Sequence, residues 1–420
     1  MNYIIKNARI LNPAKNQDFI GDLLIENGKI KEISEKIDSS YDLIDAKGLC
    51  LAPGLVDMHV HLRDPGLEYK EDIISGCNAA AASGVTSLMC MPNTSPCIDT
   101  PEIVTEIMEK AKNAKAKVYV ACAVTKSLTS EGEVNLEKMK QAGAIAITDD
   151  GNPVMNTKYL ENAMKLAPKL NLTYVAHCED LSLIKGKWYM NEGEISKQLG
   201  INGVLSEVED SGTRREIEFA EKLGVPVHIC HVSTAKSADL IRQAKKKGLK
   251  VTGETAAHYL LLTDAELLKK DADYRMNPPL RSEFDRKKMI EAVLDGTIEV
   301  IATDHAPHSV EEKADFLNAP NGVVGMESSL AGIITALGDK ISLSKIIELM
   351  SLNPAKILGI DAGVLDVGKD ADIVLFDPQE KWTVDVNKLH GKSKNAVFKN
   401  RELTGKVKYT LLNGNIVYKD

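Results

Sequence analysis

Hydrophobic and polar positions along the chain alternate in two different rhythms. Near the N-terminus, short apolar runs are broken by turn residues, as in "NYIIKNARIL", "GDLLIENGKIKEI" and "DLIDAKGLCLAPG". Alternation of period two around turn residues such as Asn-Gly marks β-hairpins. The C-terminal end has the same character in "GKDADIVLFDP", "KWTVDV" and "GKVKYTLLNGNIVYKD", and its turn "LNGNIV" echoes "IENGKI". The two ends predict one small β-sandwich-like domain assembled from residues 1–51 and 358–420. Two independent terminal hairpins are the alternative.

In between, the rhythm changes. Eight Val/Ile/Ala-rich runs recur: "GLVDMHVHL", "GVTSLMCMPN", "AKVYVACAVT", "GAIAITDDG", "LTYVAHCED", "VPVHICHVS", "LKVTGETAAHYL" and "IEVIATDHAPH". Segments of helical period separate most of them, such as "TPEIVTEIMEKAKNAKA", "NTKYLENAMKLAPKL" and "STAKSADLIRQAKKKG". Near-continuous apolar strands alternating with amphipathic helices indicate a parallel sheet covered by helices. Eight units predict an α/β fold, a (β/α)8 TIM-type barrel over residues 52–357. Catalytic groups in that fold sit at the C-terminal ends of the strands.

The polar residues at those ends form a pattern. The first run ends in His59 and His61 with Arg63 just beyond, the second in Asn93, the fourth in Asp149 and Asp150, and the fifth in His177. The sixth ends in His231, the seventh leads on to Asn277, and the eighth ends in Asp304, with His308 four residues later. Residues i and i+2 of a strand share a face, so His59 and His61 aim the same way. Neutral imidazoles and carboxylates are ligands for zinc or a similar divalent ion. Four histidines and two carboxylates suffice for two ions.

Each residue taken singly also has a plainer reading. His177 can be a satisfied core histidine, Asp304 a helix cap, and Asp149 with Asp150 part of a turn at Gly151. His228, three residues before His231, faces the other side of its strand and reads as structural, as does His258 in "AAHYL". The shared placement at the ends of five strands is what the plainer readings leave unexplained.

Composition narrows the picture in a few respects. A net charge of −8 and a pI near 5.7 argue against nucleic-acid binding, which needs a basic face. No apolar run reaches the roughly 18 residues of a membrane helix, and the N-terminal apolar stretch is too short for a secretory signal. Seven scattered cysteines without a CxxC pair fit reduced thiols, so the expected location is cytoplasmic.

These motifs together resemble the amidohydrolase superfamily. Within it, "HVHLRDPG", "MPNT", "TDDG", "AHCED", "HVST", "MNPPLR" and "ATDHAPH", with "NPAKILGI" and "VGKDADIVLFD" beyond them, are similar to the class I dihydroorotases over essentially the whole chain. The resemblance implies zinc-dependent, reversible cyclisation of N-carbamoyl-L-aspartate to L-dihydroorotate in pyrimidine biosynthesis. It implies two zinc ions per subunit, one held by His59, His61 and Asp304, the other by His177 and His231. Many relatives bridge the ions with a carbamylated lysine. "GAIAITDDGN" has no lysine, and Asp150 matches the subgroup that uses an aspartate. Asp304 would also be the catalytic proton carrier. Arg63, Asn93 and His308 would bind the substrate carboxylate, and Asn277 with backbone groups around Asn321 and Gly322 the ureide edge. Two other functions compete: a related cyclic-amide hydrolase such as a dihydropyrimidinase, hydantoinase or allantoinase, and an inactive scaffold for aspartate carbamoyltransferase. An association with that transcarbamoylase, or a homo-oligomer, is compatible with the enzyme reading, and the run 309–322 is long and polar enough for a lid or a surface loop.

Overall fold

The computed structural model describes residues 2–420. Eight strands occur where the apolar runs place them: Leu55–Val60, Val85–Cys90, Lys117–Cys122, Ala146–Ile147, Thr173–Ala176, Val227–Ile229, Val251–Thr255 and Val300–Ile301. They are hydrogen-bonded in chain order, every pair parallel. The edges meet through a parallel bridge between Val60 and His305, where the His61 N–H donates to the His305 carbonyl at 2.8 Å. Inside, Met58, Met89, Met91, Ala121, Ala146, Val175, Cys230, Val300 and Ala302 pack into one apolar cluster. A filled interior leaves only the strand ends for chemistry.

A helix follows each strand, among them Pro101–Lys110, Thr157–Leu166, Ala235–Lys246 and Glu283–Leu294. Local chemistry starts them. Asp72, Thr234 and Ser282 accept hydrogen bonds from the backbone N–H groups of Ser75, Ser237 and Asp285. Each such cap contributes about 1 kcal/mol. The fifth strand is followed by an inserted pair of two-residue strands, Met190–Asn191 and Gly203–Val204, before its long helix, Ser206–Leu223. No described helix is long and apolar enough to cross a membrane.

The chain ends form one mixed sheet of eight strands. Cys50–Pro53 joins them: it pairs in parallel with Tyr3–Asn12 and antiparallel with Ile373–Thr383. Ile5, Ile10, Leu23, Ile25, Leu51, Ile373, Leu375 and Leu411 make its core. The two echoing turns have the same geometry. Asn27 and Gly28 have φ of 53° and 80°, Asn413 and Gly414 of 49° and 71°, the conformation of a two-residue hairpin turn. They also touch: a Cβ on Gly28 would lie 2.6 Å from the Asn413 carbonyl oxygen.

Candidate active site

At the C-terminal mouth of the barrel, six side chains from five strand ends converge, with Asp150 at their centre. Its Oδ1 lies 3.4 Å from His59 Nε2, His177 Nδ1 and His231 Nε2, and its Oδ2 lies 3.4 Å from His61 Nε2. Asp304 Oδ1 stands 3.3 Å from His61 Nε2 and 3.6 Å from His59 Nε2. All six residues are buried. The pairing of the first two strands slips between Asp57 and Val60, right at His59. Such irregularities re-aim side chains next to functional sites.

The backbone is strained where the site is built. Arg63, His231 and Asp304 have φ of 64°, 30° and 48°, a region costly for residues with a Cβ and common at functional sites. Burial opposes ionisation of Asp150, yet His59, His177 and His231 hold its carboxyl well below the usual range. Burial likewise opposes Asp304, and His61, His59 and His231 keep it low.

Asp149 points elsewhere. Its carboxylate accepts from the Val124 N–H at 2.7 Å, the Thr125 N–H at 3.1 Å and the Thr125 hydroxyl. Burial pushes its carboxyl up to about 6 against those bonds. Asp149 thus ties down the loop after the third strand, while Asp150 faces the mouth.

Several histidines are oriented from behind. His59 Nδ1 is 2.6 Å from Glu254 Oε1, His61 Nδ1 is 2.7 Å from Asn93 Oδ1, and His177 Nε2 is 2.8 Å from Glu179 Oε2. Each acceptor fixes the proton on the far nitrogen and leaves the near one free to ligate. Asn93, expected at the substrate, is in contact with His61, and its amide nitrogen remains. Asn277 donates to Glu179 Oε2 at 3.2 Å. Glu254 and Glu179 have no counterpart in the sequence reading. A carboxylate at the end of the apolar strand "VTGET" was the available signal for the first. His228, read as structural, contacts Glu254 Oε2 at 3.3 Å.

Arg63 is buried beside this cluster. Its Nε donates to the Pro307 carbonyl at 3.1 Å, and Nη2 lies 3.4 Å from His308 Nε2. It is paired with no carboxylate among the described residues, and burial pushes its guanidinium down to about 10. Burial, helped by Arg63, Lys313 and Lys70, pushes His308 down to about 3, so its ring is neutral at pH 7. His308 Nε2 is 3.0 Å from the Asn321 carbonyl. Gly322, at φ 141°, sits so close that a Cβ would come within 2.9 Å of the His308 ring. The run 309–322 is anchored: Lys313 Nζ donates to the carbonyls of Ala272, Arg275 and Pro320 at 3.0, 3.2 and 2.8 Å.

Among the described residues, two groups of side chains offer ligand atoms close enough for an ion: His59, His61 and Asp304; and His59, Asp150, Cys230 and His231. The buried His59 Nε2 and Asp150 Oδ1 have no hydrogen-bond partner among the described residues. Buried polar atoms are rarely left so, and orphaned nitrogen and oxygen donors facing one another fit a divalent cation.

The amidohydrolase family model matches residues 50–417. The chain belongs to the amidohydrolase family. Two members are 44% identical to it: a dihydroorotase of Geobacter metallireducens over 424 residues, covering 100% of both chains, and a dihydroorotase of Acetivibrio thermocellus over 422 residues, covering 99% of both. They place the chain in the dihydroorotase branch of the amidohydrolases. In fold, this amidohydrolase is similar to the L-hydantoinase (dihydropyrimidinase) of Arthrobacter aurescens, with a TM-score of 0.88 and 26% identity over 99% of this chain and 96% of that one. The dihydropyrimidinase of Brevibacillus agri gives 0.88 and 25% over 100% and 95%. Barrel, terminal sheet and buried His/Asp cluster are therefore those of a cyclic amidohydrolase.

Proposed function

We propose that the mouth of the barrel catalyses the reversible, metal-dependent cyclisation of N-carbamoyl-L-aspartate to L-dihydroorotate. The observation that carries the substrate assignment is Arg63, a buried guanidinium beside the His/Asp cluster without a carboxylate partner among the described residues. An unpaired buried charge is costly, and a substrate carboxylate would satisfy it with a charge-assisted, bidentate contact. The ring substrates of hydantoinases and dihydropyrimidinases lack that carboxylate, so this guanidinium favours dihydroorotate over their rings.

His59, His61 and Asp304 would hold one zinc ion, His177 and His231 the second, and Asp150 both. Its Oδ2 lies 3.4 Å from His61 and its Oδ1 3.4 Å from His59, His177 and His231, within reach of the ligands of both. Four buried carboxylates reach these rings, Asp150, Asp304, Glu254 and Glu179, and two divalent ions would balance their charge. Cys230 suits the second ion less well than His177, because burial raises its thiol far above neutral pH. Bound ions supply positive charge that polarises the ring carbonyl and acidifies a water.

The residues of the chain do the rest. Arg63 and the free amide of Asn93 orient the ring by its carboxylate, with His308 beside them, its Nε2 3.4 Å from Arg63 Nη2. Asn277 and the backbone near Asn321 and Gly322 hold the ureide edge. In the hydrolytic direction, water adds to the ring carbonyl carbon and the carbon–nitrogen bond breaks. Asp304 accepts the proton of that water and returns it to the departing ring nitrogen, general base and then acid. Cyclisation reverses these steps. Protein stripped with a chelator is expected to lose dihydroorotate hydrolysis and to recover it with zinc; full activity in rigorously metal-free protein would refute the reading.

A further inference from the structure

Behind His59 lies a buried chain of polar groups that runs away from the mouth. Glu254, at the end of the seventh strand, places Oε1 2.6 Å from His59 Nδ1 across the barrel, and the His231 N–H donates to the same oxygen at 3.4 Å. Its other oxygen is 3.3 Å from His228 Nε2, and His228 Nδ1 is 2.8 Å from Thr252 Oγ1. His228 and Thr252 are register partners on adjacent strands, so the chain is braced by the sheet itself. Glu254 and His228 are both fully enclosed.

We propose that Glu254 is a positioning residue, braced by His228, that presets His59 for metal binding. The inference rests on the reading of His59 as a ligand. A carboxylate only accepts hydrogen bonds, so His59 must carry its proton on Nδ1. The lone pair of Nε2 then faces Asp150 and Asp304, where that nitrogen has no hydrogen-bond partner. The carboxylate also strengthens the imidazole as a donor to a cation. By its bond to the His231 N–H, Glu254 ties the backbone of a second candidate ligand to the same anchor. Packing alone gives no reason for a carboxylate at this position, since burying one in place of an apolar side chain is costly.

The test is zinc affinity, measured by chelator competition on the full-length protein, with ring-nitrogen NMR of the histidines in the metal-free state. Glu254→Gln keeps the shape and an acceptor but loses the charge. It is expected to weaken the ion at His59 by about 10–100-fold, and the ion at His177 and His231, which it reaches only through the His231 backbone N–H, by less. Glu254→Leu should weaken it further and release His59 from its single tautomer. His228→Leu, which removes only the brace, should have the smaller effect. Wild-type affinity for both ions in Glu254→Gln, with the His59 tautomer unchanged, overturns the inference while leaving the metal reading standing. A wild-type protein that binds no zinc overturns both.

Discussion

Asp150→Ala is expected to bind less metal and to lose dihydroorotate hydrolysis in the same measure. Asp150 is the carboxylate common to His59, His61, His177 and His231, each 3.4 Å from one of its oxygens. Loss of a hydrogen-bond partner behind a ligand costs roughly 10–100-fold in affinity or activity, and loss of the central carboxylate should exceed that. Four imidazoles would be left facing one another without the charge that holds them. The control is one residue away. Asp149→Ala strips the acceptor from Val124 and Thr125 and should cost about 1–3 kcal/mol of stability, with metal content preserved. Metal analysis and thermal unfolding of the two variants separate the roles. Reversal of the pattern, with metal lost in Asp149→Ala and retained in Asp150→Ala, would overturn the assignment of the bridge.

Arg63→Met should cripple dihydroorotate turnover and spare the folded state. A charge-assisted hydrogen bond contributes about 1.5–3 kcal/mol, a factor of roughly 10–150 in kcat/KM. The substitution removes a buried guanidinium that has no carboxylate partner among the described residues, so the free protein gives up little. Metal content should match wild type, because Arg63 stands outside the cluster. Activity on dihydrouracil, which has no ring carboxylate, should not fall with it. A wild-type enzyme that prefers dihydrouracil or hydantoin to dihydroorotate would show that Arg63 does not select the ring carboxylate.

The two variants together separate the chemistry of the mouth from its selectivity. In the proposed function Asp150 serves the metal cluster and Arg63 the choice of ring. The chain is 44% identical to dihydroorotases and shares its fold with hydantoinases at 25–26% identity.

What the sequence determined by itself is what short stretches of chain encode. The period of apolar residues sets strand or helix wherever it occurs, so eight buried strands and their helices were legible, as were the Asn-Gly turns at 27–28 and 413–414. Strand ends are local features too, which is why His59, His61, His177, His231 and Asp304 could be picked out before the fold was known. The tertiary structure decided whatever depends on partners far away in sequence. Asp149 and Asp150 are indistinguishable locally; Thr125, on the loop after a different strand, claims Asp149 and leaves Asp150 to the mouth. Glu254 looks like a polar residue at a strand end until the closed barrel carries it to His59, 195 residues earlier. The pairing of Val60 with His305 that closes the barrel joins residues still farther apart. Periodicity is written into neighbouring residues by backbone geometry, whereas the orientation of a buried polar side chain is settled by which donor or acceptor the folded chain brings within reach.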